Sequence, residues 1–210
     1  MSALSSQHQA WQMLLERPLS FIGEEHFKAC FPDNVSAQQL AALRQQERFQ
    51  GRLLRLLMSH FGLQALELST QPDPLDLPVM LLPVQTFKEL PRLCGAVWHA
   101  STLSREIRGD VVSELRQLLG NEVFALALAH RGLGGAADLL RQPAELLEVI
   151  DRDGAACVSI WLRAQTPELR QWLMLRFADP QVHDVQIPGA LNIVRSVATS
   201  VTQPAEEVAP

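Results

Sequence analysis

A glycine-rich hexapeptide near the middle of the chain has the spacing of a dinucleotide-binding turn. Residues Gly132 to Ala137 read Gly-Leu-Gly-Gly-Ala-Ala and match G-x-G-x-x-A, and Asp151 lies 19 residues after Gly132. Where a strand precedes such a turn and a helix follows it, backbone amides bind the pyrophosphate and the acid binds the ribose. The preceding residues, 123–129, are mostly alanine and leucine, which favour helix over strand. We therefore interpret the glycines as a helix end and a corner, with a nucleotide-binding enzyme as the alternative function.

Histidines and cysteines offer one pair with the spacing of metal ligands. His26 and Cys30 are four residues apart and would share one helix face, which is half of a zinc site. No second pair with matching spacing occurs, so we expect Cys30 in the apolar core and no bound metal. The other cysteines, Cys94 and Cys157, are distant in sequence and form no C-x-x-C motif, as is typical of a reducing compartment.

Motifs for covalent catalysis are missing from the sequence. It contains neither the G-x-S-x-G of a serine nucleophile nor the G-x-x-x-x-G-K-[ST] of a phosphate-binding loop. Neighbouring carboxylates occur at Asp151 and Asp153, but adjacency along the chain does not bring carboxylates together in a cleft, so we expect solvated surface charge there. We therefore expect a protein that is not an enzyme and that needs no cofactor.

Four arginines recur at helical spacing in the first half of the chain: Arg44, Arg48, Arg52 and Arg55. On one continuous helix they lie within about 80° of one another. The chain carries 18 basic and 23 acidic residues, a net charge of −5, so this stripe concentrates positive charge on an acidic protein. Guanidinium groups bind carboxylates in bidentate fashion, which makes these four residues our candidates for binding an acidic partner. The alternative is a solvated helix face whose arginine stems cover apolar surface.

Nucleic acid is a less suitable partner for this stripe than an acidic protein. The net charge of the chain is negative, and aromatic residues are not interleaved with the arginines. We therefore expect no nucleic acid among the partners.

The element that must position these arginines is the clearest helix of the sequence. Ser36 and Gln39 have the spacing of a capping box, and Gly62 stands where a C-terminal cap is expected. Between these caps, Leu, Met and Phe recur over a sector about 100° wide that adjoins the arginines. We therefore predict one amphipathic helix from Ser36 to Gly62.

Apolar periodicity, capping residues and prolines predict helices along the rest of the chain as well. They are expected over Ser5–Glu16, Ile22–Phe31, Thr86–Trp98, Asp110–Gly120, Glu122–Arg131, Pro143–Ile150, Thr166–Phe177 and Ala190–Val201. The stretch from Gln181 to Ile187 alternates apolar and polar residues, which predicts a short strand or an extended arm.

The composition indicates an all-α protein. Hydrophobic residues make up 47% of the chain and charged residues 20%, with no tyrosine. We predict a predominantly helical fold, with at most a short β element near the C-terminus, in one compact domain over residues 1–201. Four prolines between residues 67 and 84 predict an extended connector, and two lobes would divide near residues 68–84. We expect residues 202–210 to form a disordered tail.

The N-terminus is polar and lacks a basic start followed by an apolar run, so we expect no secretory signal. The longest apolar stretches, such as 123–129, fall short of the roughly 20 residues that span a bilayer. We therefore expect a cytoplasmic protein without direct membrane insertion.

Tryptophans and apolar residues follow an order that occurs in a known family. The segments are Trp98 to Leu119, Val123 to His130, Ser159-Ile160-Trp161-Leu162 and Thr166 to Phe177, with an earlier stretch from Phe21 to Phe31 before Pro32. In this order they resemble the SctK (YscK/PscK) family, which are small cytosolic accessory proteins of bacterial type III secretion systems. The likeness covers most of the chain in length and in helix order.

The resemblance implies an adaptor. Members of that family link the cytoplasmic domain of the inner-membrane ring protein SctD to the pod protein SctQ, in the sorting platform below the injectisome, and have no known catalytic activity or cofactor. By this resemblance we expect SctD and SctQ as partners, a peripheral position at the cytosolic face of the inner membrane, and a role in effector secretion. We also expect a monomer in isolation. A third hypothesis is a secretion chaperone for an effector, although such chaperones are usually dimeric α/β proteins.

Overall fold

The structure, a computed structural model, describes residues 3–67, 71–136, 142–177 and 185–202. All secondary structure in these ranges is helical, so the prediction of an all-α fold is confirmed. The α-helices, numbered in chain order, are α1 Ala3–Glu16, α2 Glu24–Ala29, α3 Ala37–Gln45, α4 Glu47–Phe61, α5 Leu77–Met80, α6 Val84–Trp98, α7 Ala100–Arg105, α8 Gly109–Leu119, α9 Asn121–Ala129, α10 Pro143–Arg163, α11 Pro167–Met174 and α12 Ala190–Thr202. Two 3-10 turns accompany them, Pro18–Phe21 and Arg131–Leu133. Within the described ranges, none of the helices has the length together with the hydropathy that a bilayer span requires.

The chain forms two compact units, each assembled from two separate stretches of sequence. Unit 1 contains Met1–Lys88 and Gln165–Pro180, and unit 2 contains Glu89–Ala164 and Gln181–Pro210. The proline-rich residues 68–84, where the sequence would divide two lobes, belong to unit 1. The chain passes from one unit to the other three times: within α6 after Lys88, after α10 at Ala164, and after Pro180.

α1 begins unit 1 and ends ahead of Pro18, as the sequence predicts. The Trp11 ring on its inner face is 1% exposed and meets the edge of the Phe21 ring, with centroids 6.5 Å apart. Because Pro18 lacks a backbone amide hydrogen and has a fixed φ, the chain leaves the α-helix and forms a 3-10 turn. Leu19 and Phe21 of that turn are buried in the core of unit 1.

Both caps of the helix predicted from Ser36 to Gly62 are present. The Ser36 hydroxyl accepts a hydrogen bond from the Gln39 amide at 3.2 Å, and the Gln39 side chain accepts one from the Ser36 amide at 2.9 Å. Gly62 ends α4 in the left-handed conformation, with φ of 64°, which glycine adopts without steric cost. The start and the end of this helical region are therefore confirmed.

Between these caps the prediction of one continuous helix is wrong. Gln46 adopts an extended conformation, with φ −84° and ψ 115°, and separates α3 from α4. The side-chain amide of Gln50 donates to the backbone carbonyl of Arg44, which replaces a helical hydrogen bond at the end of α3. The interruption removes the geometry under which all four arginines would share one face.

The proline-rich stretch also differs from the expected extended connector. Residues 74–76 form a turn, and α5 adds one helical turn in which every residue is buried. Pro78 fits this helix because it lies in the first turn, where a backbone amide has no intrahelical partner. The stretch therefore contributes to the core of unit 1. Residues 68–70 lie outside the described ranges.

α10 is the central helix of unit 2 and packs against α8 and α12. The sequence predicts it from Pro143 to Ile150, whereas it continues to Arg163. α6 crosses it in direct contact, because a β-carbon on Gly95 would lie 1.9 Å from the carbonyl oxygen of Ile150. Gly154 lies at the same crossing, in the middle of α10. The two glycines therefore let the helix backbones touch at this crossing.

The apolar core of unit 2 draws on α6, α7, α8, α9 and α10. Its buried members are Ala96, Ala100, Leu103, Leu115, Leu119, Phe124, Ala127, Leu146 and Ile150. Trp161 of α10 is also fully buried in this unit.

The strand or extended arm predicted from Gln181 to Ile187 lies partly outside the described residues. Residues 185–187 are described and form neither helix nor strand. α12 follows and ends at Thr202, one residue beyond the predicted end. The remainder of the predicted tail, residues 203–210, lies outside the described ranges.

Candidate functional site

Arg44, the first of the four candidate arginines, points into unit 1. Its guanidinium donates hydrogen bonds to the backbone carbonyls of Leu19 and Ile22, the second at 2.6 Å. It also lies over the Phe27 ring, 5.4 Å from the centroid. Burial lowers the pKa of Arg44 from its ordinary value. Arg44 therefore ties α3 to the 3-10 turn that follows α1, and its role in partner binding stays a prediction.

The other three candidates, Arg48, Arg52 and Arg55, are exposed on α4. With a rise of about 1.5 Å per residue, they span about 10 Å along the helix. Arg48 donates to the side-chain oxygen of Gln46 at 3.1 Å and lies 4.6 Å from the centroid of the Phe49 ring. Within the part of the chain that the structure describes, none of the three arginines forms an ion pair with a carboxylate. Their positive charge is therefore presented to solvent.

The opposite side of α4 holds the helix in unit 1. Leu53 is 7% exposed and Leu57 is fully buried, whereas Leu56 is 40% exposed on the side of the arginines. Glu47, the single acidic residue of α4, has a side chain that is 90% exposed and lies 3.7 Å from Arg17. We call the set Arg48, Arg52, Arg55 and Leu56 the α4 face. It is a positively charged helix surface with one apolar side chain, fixed by buried leucines.

The glycine-rich corner follows a helix and not the strand that a dinucleotide-binding turn requires. It comes after α9 and includes the 3-10 turn Arg131–Leu133. Glycine is required at position 135 by packing, because a β-carbon there would lie 2.3 Å from the indole of Trp98. The Gly135 amide also donates a hydrogen bond to the Trp98 carbonyl at 3.2 Å. The interpretation as a helix end and a corner therefore fits the residues described. Ala137 of the motif lies outside them.

The other sequence candidates for chemistry have structural partners. Asp151, the acid that would bind a ribose, receives two hydrogen bonds from the Arg92 guanidinium, at 2.9 and 2.7 Å. His26 donates to the carbonyl of Phe177, and the Cys30 thiol donates to the His26 carbonyl at 3.5 Å. Among the residues with a described placement, no three side chains of His, Cys, Asp or Glu are grouped as metal ligands.

Asp153 is buried in unit 2, so the expectation of a solvated surface charge is wrong for this residue. It is 7% exposed and accepts hydrogen bonds from His99 at 2.8 Å and from Arg152 at 2.8 Å. These side chains line a cavity of about 270 Å³. The hydroxyl of Thr102, on the same cavity, has no hydrogen-bond partner among the described residues. A longer predicted α10 would have signalled this burial, because Asp153 continues the apolar stripe three residues after Ile150.

Arg176 is a buried cation in unit 1 that sequence reasoning missed. It is 2% exposed and donates to the backbone carbonyls of Met80, at 2.8 Å, and Leu82. Its guanidinium lies between the rings of Phe21 and Phe87, 4.5 and 4.2 Å from their centroids. Burial lowers the pKa of Arg176 to about 9, which leaves it charged at neutral pH. No local sequence pattern predicts that Arg176 is buried, because its burial depends on contact between two stretches that are distant in the chain.

Together these observations define a protein that is helical in its described ranges and that exposes a positively charged surface, the α4 face. Sequence comparison relates the chain distantly to the nodulation protein NolU. It is 26% identical over 142 residues to NolU of Rhizobium fredii, and equally to NolU of Sinorhizobium fredii strain NBRC 101917 / NGR234. The matched region covers 68% of this chain and 63% of the length of each relative. No protein-family profile matches the chain, and no solved structure matches it.

Proposed function

We propose that this chain is a component of a bacterial type III secretion system. Within that system it is an adaptor of the sorting platform that links the cytoplasmic domain of the ring protein SctD to the pod protein SctQ. The observation that carries the proposal is the distant similarity to NolU over 142 residues, which supports a role in type III secretion. The order of segments that resembles the SctK family supplies the adaptor role and both partners.

A non-catalytic role is part of this proposal. The residues that would bind a dinucleotide are accounted for by packing and pairing, since Gly135 lies against the Trp98 indole and Asp151 is paired with Arg92. An adaptor needs exposed surfaces that bind neighbours, and the α4 face is such a surface. The protein would act as a monomer at the cytosolic face of the inner membrane, held there by SctD.

Deletion and co-purification in the native bacterium test the proposal. We expect an in-frame deletion to abolish secretion of an effector into the medium, and the wild-type gene to restore it. We expect a tagged copy to recover SctD and SctQ from a lysate, as identified by mass spectrometry. Normal secretion in the deletion strain, together with recovery of neither partner, would overturn the proposed function.

The competing function is a nucleotide-binding enzyme that uses the glycine-rich corner at residues 132–137, and the G-x-G-x-x-A match is the observation that favours it. Calorimetry separates the two functions. We expect no heat of binding when NAD, NADP or ATP is titrated into the protein. A micromolar binding signal that is lost when Gly134 is replaced would support the enzyme.

A further inference from the structure

Elsewhere the chain pairs some of its arginines with carboxylates of its own fold. Three such ion pairs, each with an N–O distance of 2.7 Å, are Arg92–Asp151, Arg108–Glu106 and Arg152–Asp153. The arginines of the α4 face differ, because none of them has a carboxylate partner among the residues the structure describes. Three exposed arginines that are neighbours on one helix therefore have no ion pair within the part of the chain that the structure describes.

The unpaired arginines also oppose one another. Arg48 and Arg52 are four residues apart, and Arg52 and Arg55 are three apart, so each lies next to a like charge on the helix surface. Like charges at these spacings destabilise a helix, and no acidic residue of the α4 face offsets the repulsion. The repulsion lowers the stability of the folded chain, and no ion pair compensates for it. A ligand that carries negative charge would relieve this repulsion on binding.

The geometry of the face indicates what that ligand is. Successive arginines of the face are four and three residues apart, a rise of about 6 and 4.5 Å along α4, and a second helix repeats its side chains at the same intervals. Carboxylates at that spacing on a partner helix would meet the arginines in bidentate pairs. Leu56, exposed beside Arg52, offers an apolar contact at the same place. Buried leucines hold α4, so these side chains are presented on a fixed element.

We propose that the α4 face binds an acidic amphipathic helix of a partner protein, through carboxylates on Arg48, Arg52 and Arg55 and an apolar side chain on Leu56. The identity of that partner as SctD or SctQ rests on the proposed function. Complementary charge on a partner increases the rate of association and selects the partner, and its effect weakens as salt screens the charges.

Two other anionic ligands fit the face less well. A nucleic acid would be repelled by the net charge of −5 and would find no exposed aromatic side chain on α4, where Phe49 and Phe61 are half-buried. An anionic membrane needs several cations together with apolar side chains that enter the lipid, whereas this face has Leu56 alone. Both ligands serve as outcomes of the experiment below.

The test compares two charge reversals of equal size. The variant R48E/R52E changes the α4 face, and the control R116E/R131E changes two exposed arginines of unit 2 by the same total charge. Binding of the full chain to the purified SctD cytoplasmic domain and to purified SctQ is measured at 50 and 300 mM NaCl. We expect R48E/R52E to weaken binding to one of them at least tenfold at 50 mM, with a smaller loss at 300 mM. The control should stay within twofold of wild type.

A third variant, R48K/R52K, keeps the charge and removes the bidentate geometry. We expect it to weaken the same binding about threefold, because an ammonium group cannot pair with a carboxylate through two parallel hydrogen bonds. All of these side chains are exposed, so circular dichroism spectra and unfolding midpoints should match wild type. Equal affinity of wild type and R48E/R52E for both partners would overturn the proposal and leave the proposed function intact.

If wild type binds neither SctD nor SctQ, the proposed function fails. A second probe, poly-L-glutamate, then tests whether the α4 face binds carboxylates. Poly-L-glutamate is titrated at 20 mM NaCl, and we expect it to bind wild type and the control but not R48E/R52E. Equal binding by all three, or binding by none, would overturn the proposal. It would also be overturned if R48E/R52E lost binding to duplex DNA or to phosphatidylserine vesicles while its binding to poly-L-glutamate was unchanged.

Discussion

A β-carbon on Gly154 would lie 1.7 Å from the carbonyl oxygen of Pro91, so α10 and α6 touch through their backbones in unit 2. The same β-carbon would lie 2.7 Å from the Gly95 nitrogen. Atoms at these separations overlap, and both contacts are to backbone that cannot rotate aside. Glycine is therefore required by the approach of the two helices and not by a special φ.

Replacement of Gly154 by alanine is expected to destabilise the protein by about 3 kcal/mol, because the helices must separate to admit the methyl group. Gly132→Ala is the control, since a β-carbon at Gly132 meets nothing within 4 Å. We expect that control to change stability by less than about 0.5 kcal/mol. Urea unfolding followed by circular dichroism measures both variants. Equal midpoints for the two would contradict the close crossing.

Replacing Arg44 by alanine is predicted to destabilise the protein, whereas replacing Arg52 is not. Arg44→Ala removes the hydrogen bonds to the carbonyls of Leu19 and Ile22, and we expect a loss of about 2 kcal/mol. Arg52→Ala removes an exposed side chain and should change stability by less than about 0.5 kcal/mol. Denaturant unfolding measures the free energy of unfolding of both variants. A stable Arg44→Ala protein would show that α3 does not depend on this contact.

Arg176 is predicted to require a guanidinium and not merely a positive charge. A lysine at this position can neither bond both carbonyls with a planar fork nor lie flat between the rings of Phe21 and Phe87. We expect Arg176→Lys to cost about 2 kcal/mol. Arg170→Lys is the matched control, because Arg170 makes one long hydrogen bond of 3.4 Å, and it should cost about 0.5 kcal/mol or less. Thermal unfolding of the two lysine variants compares them directly.

The three cysteines are predicted to differ in reactivity toward iodoacetamide. Burial raises the pKa of Cys157 to about 12, and burial raises the pKa of Cys94 well above its ordinary value. Since the thiolate is the reactive form, burial keeps both thiols protonated and makes them react slowly near neutral pH.

At pH 8 we therefore expect Cys30, which is half-buried, to be alkylated at least ten times faster than Cys94 or Cys157. Mass spectrometry of the modified peptides measures the rates, and the same reaction in 6 M guanidinium should modify all three alike. Rapid alkylation of Cys157 in the folded protein would contradict its burial.

Local signals explain why the limits of several helices could be predicted. The capping box at Ser36 and the left-handed Gly62 are determined by residues next to them, so both could be inferred from sequence. The break at Gln46 could not, because it depends on the Gln50 side chain reaching back to a carbonyl and on Arg44 meeting a turn more than twenty residues earlier.

Part of the candidate site could also be predicted from the sequence. The charge and spacing of Arg48, Arg52 and Arg55 are visible in the sequence, and their exposure follows from the amphipathic pattern of α4. The inward orientation of Arg44 and the burial of Arg176 were not predictable, whereas the burial of Asp153 would have followed from a longer predicted α10. The two arginines bind backbone carbonyls that only the tertiary fold brings near, and no local pattern encodes such partners.

Because unit 1 joins Met1–Lys88 to Gln165–Pro180, neither unit corresponds to a contiguous fragment. During synthesis, α6 to α10 are translated before α11 and Arg176. Until Arg176 is made, the carbonyls of Met80 and Leu82 lack the guanidinium that donates hydrogen bonds to them in the folded protein. Truncation at Lys88 would leave a peptide without its closing helix. Anyone wishing to isolate unit 1 would have to co-express its two pieces or splice them with a short linker in place of the intervening residues.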